Sequence, residues 1–152
     1  MGVRAALQRA MASLRPVDPS VVEPNGRADP RRVLVIDDDQ NGLDVAERLL
    51  IGDGYVPILT GASQSALQIA RSMRPSAIFL NVLMPGFDGW DLLAALKADP
   101  ETRRIPVLMI CMLGERRKAL EAGADGVIAK PLDAERVRAG LALIGSRQSS
   151  SR

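Results

Sequence analysis

Four places in this 152-residue chain bring together side chains able to do chemistry: Asp37-Asp38-Asp39, Asn81, Cys111 and Lys130-Pro131. Each follows or closes a short apolar run, at 33–36, 77–80, 107–110 and 126–129 respectively. Successive carboxylates suit a hard divalent cation such as magnesium, which takes oxygen ligands in an octahedron and keeps several waters. Asp37 and Asp38 are the candidate ligands, and Lys130 offers a flexible point charge for a carboxylate or a phosphoryl oxygen. Asn81 offers an amide, which has no nucleophilic lone pair with which to attack phosphorus. The three aspartates suit a second use equally well, as caps of the following helix that favour its positive end. Cys111 becomes a reactive thiol only beside a cation, for which Lys130 is the candidate; otherwise a buried cysteine is a small hydrophobe.

Composition removes several kinds of chemistry. The chain contains no histidine, which excludes a phosphohistidine donor, a Ser-His hydrolase and most catalytic zinc sites. Twenty basic residues against eighteen acidic ones leave a net charge of +2, and only 3% of residues are aromatic, so neither a polyphosphate partner nor a base-stacking surface is expected. The single cysteine cannot form an internal disulfide, which fits a reducing, cytoplasmic setting. No apolar run approaches the roughly 20 residues needed to span a bilayer. With 47% apolar content and this length, one core is expected rather than two.

These groups need elements to position them. Val3, Leu7, Ala10, Met11 and Leu14 recur at helical spacing, and Pro16, Pro19, Pro24 and Pro30 follow, so residues 1–31 read as a short amphipathic helix and a Pro-rich linker. Arg4, Arg9 and Arg15 stand in that helix region without an acid in the first seventeen residues, as in a connector packed on a neighbour, a membrane-surface helix or a transit peptide. The start Met-Gly-Val-Arg-Ala-Ala lacks the Ser or Thr of a myristoylation signal.

From residue 32 onward, short apolar strands alternate with helical patterns, the arrangement of a parallel sheet covered on both faces. Five pairs are predicted: strands at 33–36, 55–60, 77–81, 106–111 and 126–129, and helices at 41–52, from 63 to before Pro75, 89–98, from after 111 to 122, and 133–144. Ser63 and Asp133 are the expected N-caps and Gly123 the left-handed stop of the fourth helix. The domain is bounded at 32–145, and residues 146–152 are expected to form a disordered Ser/Arg tail. In such a sheet functional groups gather at the carboxyl ends of the strands, beside a switch in strand order. Asp37, Asn81, Cys111 and Lys130 should therefore converge.

The segment Ala77-Ile78-Phe79-Leu80-Asn81-Val82-Leu83-Met84-Pro85-Gly86-Phe87-Asp88-Gly89 resembles the central strand and loop of the receiver domain of bacterial two-component response regulators. The acidic cluster, the Ile105-Pro106-Val107 lead-in and the Gly-Ala-Asp-Gly…Lys-Pro ending extend that resemblance over residues 32–144. It implies a flavodoxin-like, doubly wound five-stranded α/β fold in three layers. It also implies that Asp37 and Asp38 are magnesium carboxylates, that the Leu83 carbonyl is a further ligand beside position 81, and that Lys130 contacts an acyl phosphate. Three positions depart from the family pattern. Asn81 stands where an Asp accepts the phosphoryl group, Cys111 where a Ser or Thr reads it, and Val127 where an aromatic side chain reports it. Magnesium binding is then expected to be weak or absent, because an amide replaces a carboxylate ligand.

The leading expectation is a phosphorelay signalling module, not an enzyme, that bypasses standard aspartyl phosphorylation and acts through protein contacts. Its partner is expected to be a histidine kinase or another two-component protein, and its docking face the fourth helix, fifth strand and fifth helix, which could also pair two copies. The run Glu115-Arg116-Arg117-Lys118 reads as a solvated face of the fourth helix whose basic character sets partner choice, and Trp90 as an anchor of the third helix. One alternative is a conventional phosphoacceptor, with Asn81 an engineered substitution or with Asp37 or Asp38 used instead. Another is a magnesium-dependent phosphatase, since Asp37-x-Asp39 resembles the nucleophile and acid pair of haloacid-dehalogenase-like enzymes; Gln40-Asn41 stands where their threonine is expected. Nucleic-acid binding is not expected, because only a short tail follows the last predicted helix.

Overall fold

The computed structural model describes residues 30–84 and 87–150, the side chains of 83, 84, 87, 88, 113 and 145–150 excepted. The helix and linker expected over 1–31 lie outside the described residues but for 30 and 31. Strand β1 (Arg32–Ile36) leads into α1 (Gln40–Gly52), β2 (Val56–Thr60), α2 (Ser63–Met73) and β3 (Ala77–Asn81). Two short strands follow, β4 (Leu83–Met84) and β5 (Phe87–Asp88), then α3 (Gly89–Ala98) and β6 (Val107–Cys111). A 3-10 turn (Leu113–Glu115), α4 (Arg116–Glu121), β7 (Gly126–Ala129) and α5 (Ala134–Ser150) complete the chain.

Five strands form one parallel sheet in the order β2-β1-β3-β6-β7. The chain therefore reverses its direction of growth between β1 and β3, as in flavodoxin-like folds. Strands β1, β3 and β6 are buried at every residue, which explains their unbroken apolar sequences: both faces must be covered by helices. Alternate residues then serve two cores. Leu34, Ile36, Ile78, Leu80 and Met109 pack under Ala66, Ala70, Leu93 and Leu96 of α2 and α3. Val33, Val35, Phe79 and Leu108 pack under Leu43, Ala46 and Leu50 of α1 and Val137 and Leu141 of α5.

Several boundaries differ from the sequence reading. Ser63 is the first residue of α2, and Ala62 is the cap, with no side-chain bond. Thr60 holds the turn before the helix, its Oγ1 accepting from the Ala62 N–H at 3.1 Å. Asp133 does cap α5, its Oδ1 accepting from Arg136 N at 2.8 Å, and Gly123 adopts φ +105. The fourth helix is only six residues long because its first turn winds as a 3-10 turn. Helix α5 continues to Ser150, through the start of the segment expected to be a disordered tail. No proline interrupts that helix, and its two glycines, Gly140 and Gly145, each weaken it by only about 1 kcal/mol.

At the amino ends of the strands, Asp125 fixes the entry to β6: its Oδ2 accepts from Lys97 Nζ at 2.6 Å and from Val107 N at 2.9 Å. Lys97 Nζ also donates to Ile105 O at 3.0 Å. Asp125→Ala should lower unfolding free energy in urea by about 2 kcal/mol, as expected for charge-assisted bonds, and Asp125→Asn, which keeps the bond from Val107, by less. Equal losses for the two variants would assign the effect to packing instead.

Candidate functional site

The register that pairs Ile36 with Leu80 places the next residues, Asp37 and Asn81, side by side at the switch in strand order. Both are buried. Asn81 Nδ2 donates to Asp37 Oδ1 at 3.0 Å, and the Asp39 N–H donates to the same oxygen, also at 3.0 Å. Burial nevertheless pushes the Asp37 carboxyl above its usual range, opposed by these two hydrogen bonds and reinforced by the charges of Asp39 and Asp38. Asp37 Oδ2 lies over the backbone of α1 at Gly42, where an added Cβ would stand 2.2 Å from it. Only a residue without a side chain leaves that oxygen its place.

The three aspartates thus divide their tasks. Asp39 caps α1, its Oδ1 accepting from Asn41 N at 3.1 Å. Asp37 belongs to the site, and Asp38, half-buried, acts on it through its charge. A cavity of about 470 Å3 opens here, lined by Asp37, Asp39, Asn41, Gly42, Val45, Asn81, Ile110, Met112, Lys130, Pro131 and Leu132. Of the residues singled out in the sequence, Asp37, Asn81 and Lys130 meet in this cavity; Asp38, Cys111 and Val127 are not among its lining. The reason for Cys111 is the two-residue period of a strand: Ile110 faces the cavity side and Cys111 the opposite core, where it is 1% exposed. Burial and the Glu115 carboxylate push the Cys111 thiol up, against a smaller pull from Lys130, so it stays a protonated core side chain. Val127 is half-buried on β7, opposite Met109. Trp90, at the start of α3, is half-buried and lies under the Lys118 ammonium, 4.5 Å from the ring centre.

Sequence reasoning missed Gly42, Val45, Met112 and Leu132, which come to the cavity from α1 and from the loops after β6 and β7. For a cation, the donors are sparse. Among the described residues no group of three or more His, Cys, Asp or Glu side chains is arranged to hold a metal. Of the Asp37 oxygens, one accepts two N–H groups and the other packs on α1.

A doubly wound parallel sheet with a buried carboxylate at its switch point and a lysine across the cavity defines a flavodoxin-like α/β protein with its site at the carboxyl ends of the strands. The chain belongs to the response regulator receiver domain family, whose sequence profile matches residues 33–142. It is therefore the receiver module of a two-component signalling protein. Response regulator PleD of Caulobacter vibrioides is 38% identical over 105 residues, 67% of this chain but only 23% of that protein, so the chain spans less than a quarter of this relative. The crystal structure of a response regulator from Chloroflexus aurantiacus superposes with a TM-score of 0.70 at 30% identity, covering 76% of this chain and 98% of that one. The receiver domain of a Pseudomonas aeruginosa sensor histidine kinase, solved with a magnesium ion coordinated in its active-site cleft, superposes at 0.68 with 26% identity over 76% of this chain and 98% of its own.

The raised Asp37 carboxyl has a consequence for stability. Because its folded value lies above the unfolded one near 3.8, the folded state holds the extra proton between the two, and stability falls as pH rises through that window. At pH 7 the ionised group is a net burden. In metal-free buffer Asp37→Asn should be more stable than the parent at neutral pH, with the difference vanishing as pH falls below the usual carboxylate range. A pH-independent difference in chemical denaturation midpoints would show that burial of this charge is not the cause.

Proposed function

We propose that this receiver module does not undergo standard aspartyl phosphorylation and that it signals through protein contacts. The observation that carries the reading is the amide of Asn81 at the carboxyl end of the central strand, hydrogen-bonded to Asp37. Attack on a phosphoryl donor needs a nucleophilic oxygen, and the amide supplies none. Asp37 is a poor substitute, being buried and already holding two N–H donors. Asn81 also removes one negative charge from the site. Two unit charges about 4 Å apart interact by roughly 4 kcal/mol at an effective dielectric near 20, so the loss of a carboxylate weakens magnesium binding severely. Asp38 and the Leu83 carbonyl are the remaining candidate donors beside Asp37 and Asn81.

Cys111 and Val127 fit the same reading. A thiol is a weak hydrogen-bond donor, and valine has no polar tip with which to alternate between buried and exposed positions. The output face is that of α4, β7 and α5. There Leu120 and Leu143 are exposed apolar groups and α4 carries the exposed basic Arg116, Arg117 and Lys118, a surface suited to a histidine kinase or another two-component protein, or to a second copy. The module works in the cytoplasm, without nucleic acid and without catalysis of its own.

Incubation with acetyl phosphate and magnesium, followed by intact-mass measurement, should give no phosphoryl adduct on the parent protein and one on Asn81→Asp. In parallel titrations Asn81→Asp should bind magnesium at least about tenfold more tightly, a difference of about 1.4 kcal/mol. An adduct on the parent, or equal magnesium affinities, would overturn the reading.

A further inference from the structure

The sheet has an open edge at β2, and the described chain begins beside it. Arg31 O accepts from Val56 N at 2.7 Å, so residues 30 and 31 run alongside the first residue of that strand. Because the Val56 N–H points inward to Arg31, the nitrogen of the next residue, Pro57, stands on the outer side, where it has no N–H to offer another strand. The edge is therefore better covered by a helix than extended by a strand.

Helix α1 overhangs this edge. Leu43, Ala46 and Leu50 are buried against the sheet, while Gly42 and Val45 turn toward the cavity, on the α5 side. A rotation of about 100° per residue then sets Gln40, Asp44, Glu47 and Ile51 on the opposite flank, over the outer side of β2. Ile51 is 58% exposed, more than any other large apolar side chain among the described residues, and half-buried Pro57 lies on the same face of the sheet. Asp44 and Glu47 make the flank acidic, with Gln40 Nε2 donating to Asp44 Oδ1 at 2.7 Å; Arg48 stands further out, on the solvent side.

The sequence contains a segment of complementary character. Val3, Leu7, Ala10, Met11 and Leu14 form one apolar stripe, and Arg4, Arg9 and Arg15 accompany it with no acid in the first seventeen residues. A helix over 2–14 matches α1 in length, about 20 Å each. Residues 15–30 tether it to the edge, with a reach on the order of 20 Å as a flexible coil and more where prolines extend it. Such a tether holds the segment at an effective concentration on the order of millimolar, so a small apolar contact supported by opposite charge suffices.

We propose that residues 2–14 dock as a helix on this flank of their own chain, with the apolar stripe over Ile51 and Pro57 and the arginines toward Asp44 and Glu47. Docking covers the open edge of the sheet and fixes the amino-terminal segment against the helix that carries Gly42 and Val45 to the cavity.

The test is paramagnetic broadening in the full chain, with a nitroxide attached through Gln8→Cys, a position off the apolar stripe; Cys111, 1% exposed, does not compete for the label. Amides of residues 44–51 and 55–58 should broaden and those of α4 should not. Ile51→Asp should lower the ratio of docked to free segment by about tenfold or more, and Asp44→Lys should lower it less; both substituted residues are exposed, and circular dichroism verifies folding. Absence of broadening on the flank in the parent, or undiminished broadening in Ile51→Asp, would overturn the proposal. In a mixture of labelled chains with unlabelled nitrogen-15 chains, broadening of the latter would assign the flank to a second copy. Binding to phosphatidylglycerol vesicles with the flank unbroadened would assign the segment to a membrane surface. Either result would also overturn it.

Discussion

Asp37 is a carboxylate buried at the carboxyl end of β1, and a buried carboxylate must be met by donors. The Asn81 amide meets it from β3 at 3.0 Å, which is possible only because the two strands are adjacent, parallel and in the register that sets Ile36 against Leu80. That register in turn depends on both faces of the sheet. A slip of one residue would exchange the side chains that pack under α2 and α3 with those that pack under α1 and α5. Burial on two sides thus fixes the contact between two residues at the strand ends, and the contact defines the floor of the cavity.

A hydrogen bond between an amide and a carboxylate differs from a pair of carboxylates in one essential respect. Two acids repel, so their site requires a cation and responds when charge is added or removed. With Asn81 one of the two repelling charges is absent, and Asp37 has N–H partners that offset part of the cost of its burial. On our reading this makes the pocket a fixed structural feature, and transfers control from phosphoryl chemistry to whatever docks on α4, β7 and α5. The Lys118 ammonium over Trp90 joins α4 to the start of α3.

Much of the fold was legible in the sequence because its signals are strong and local. Unbroken apolar runs marked buried parallel strands, and β3, α3 and β7 occupy the residues expected of them. Elements that lack periodicity were not legible: β4 and β5 have two residues each, and the first turn of the fourth helix winds as a 3-10 turn. Ser63 failed as a cap because the helix begins one position earlier than expected, at Ser63 itself, which leaves Ala62 in the cap position. In the site, Asp37, Asn81 and Lys130 were legible from strand ends and residue type. The wall was not, since Val45, Met112 and Leu132 come from three separated segments and are ordinary apolar residues in sequence. Cys111 is the small buried hydrophobe expected of a lone cysteine at a strand end, because one position decides which side of the sheet a side chain faces.

On our reading the pocket around Asn81 and Asp37 cannot be driven into a phosphorylated-like state. The most direct test is to add beryllofluoride, a mimic of an aspartyl phosphate, with magnesium and to record proton–nitrogen correlation spectra of the parent and of Asn81→Asp. Unchanged amide resonances are expected for α4 and β7 in the parent, and displaced ones in Asn81→Asp. Displacement of those resonances in the parent would contradict that reading.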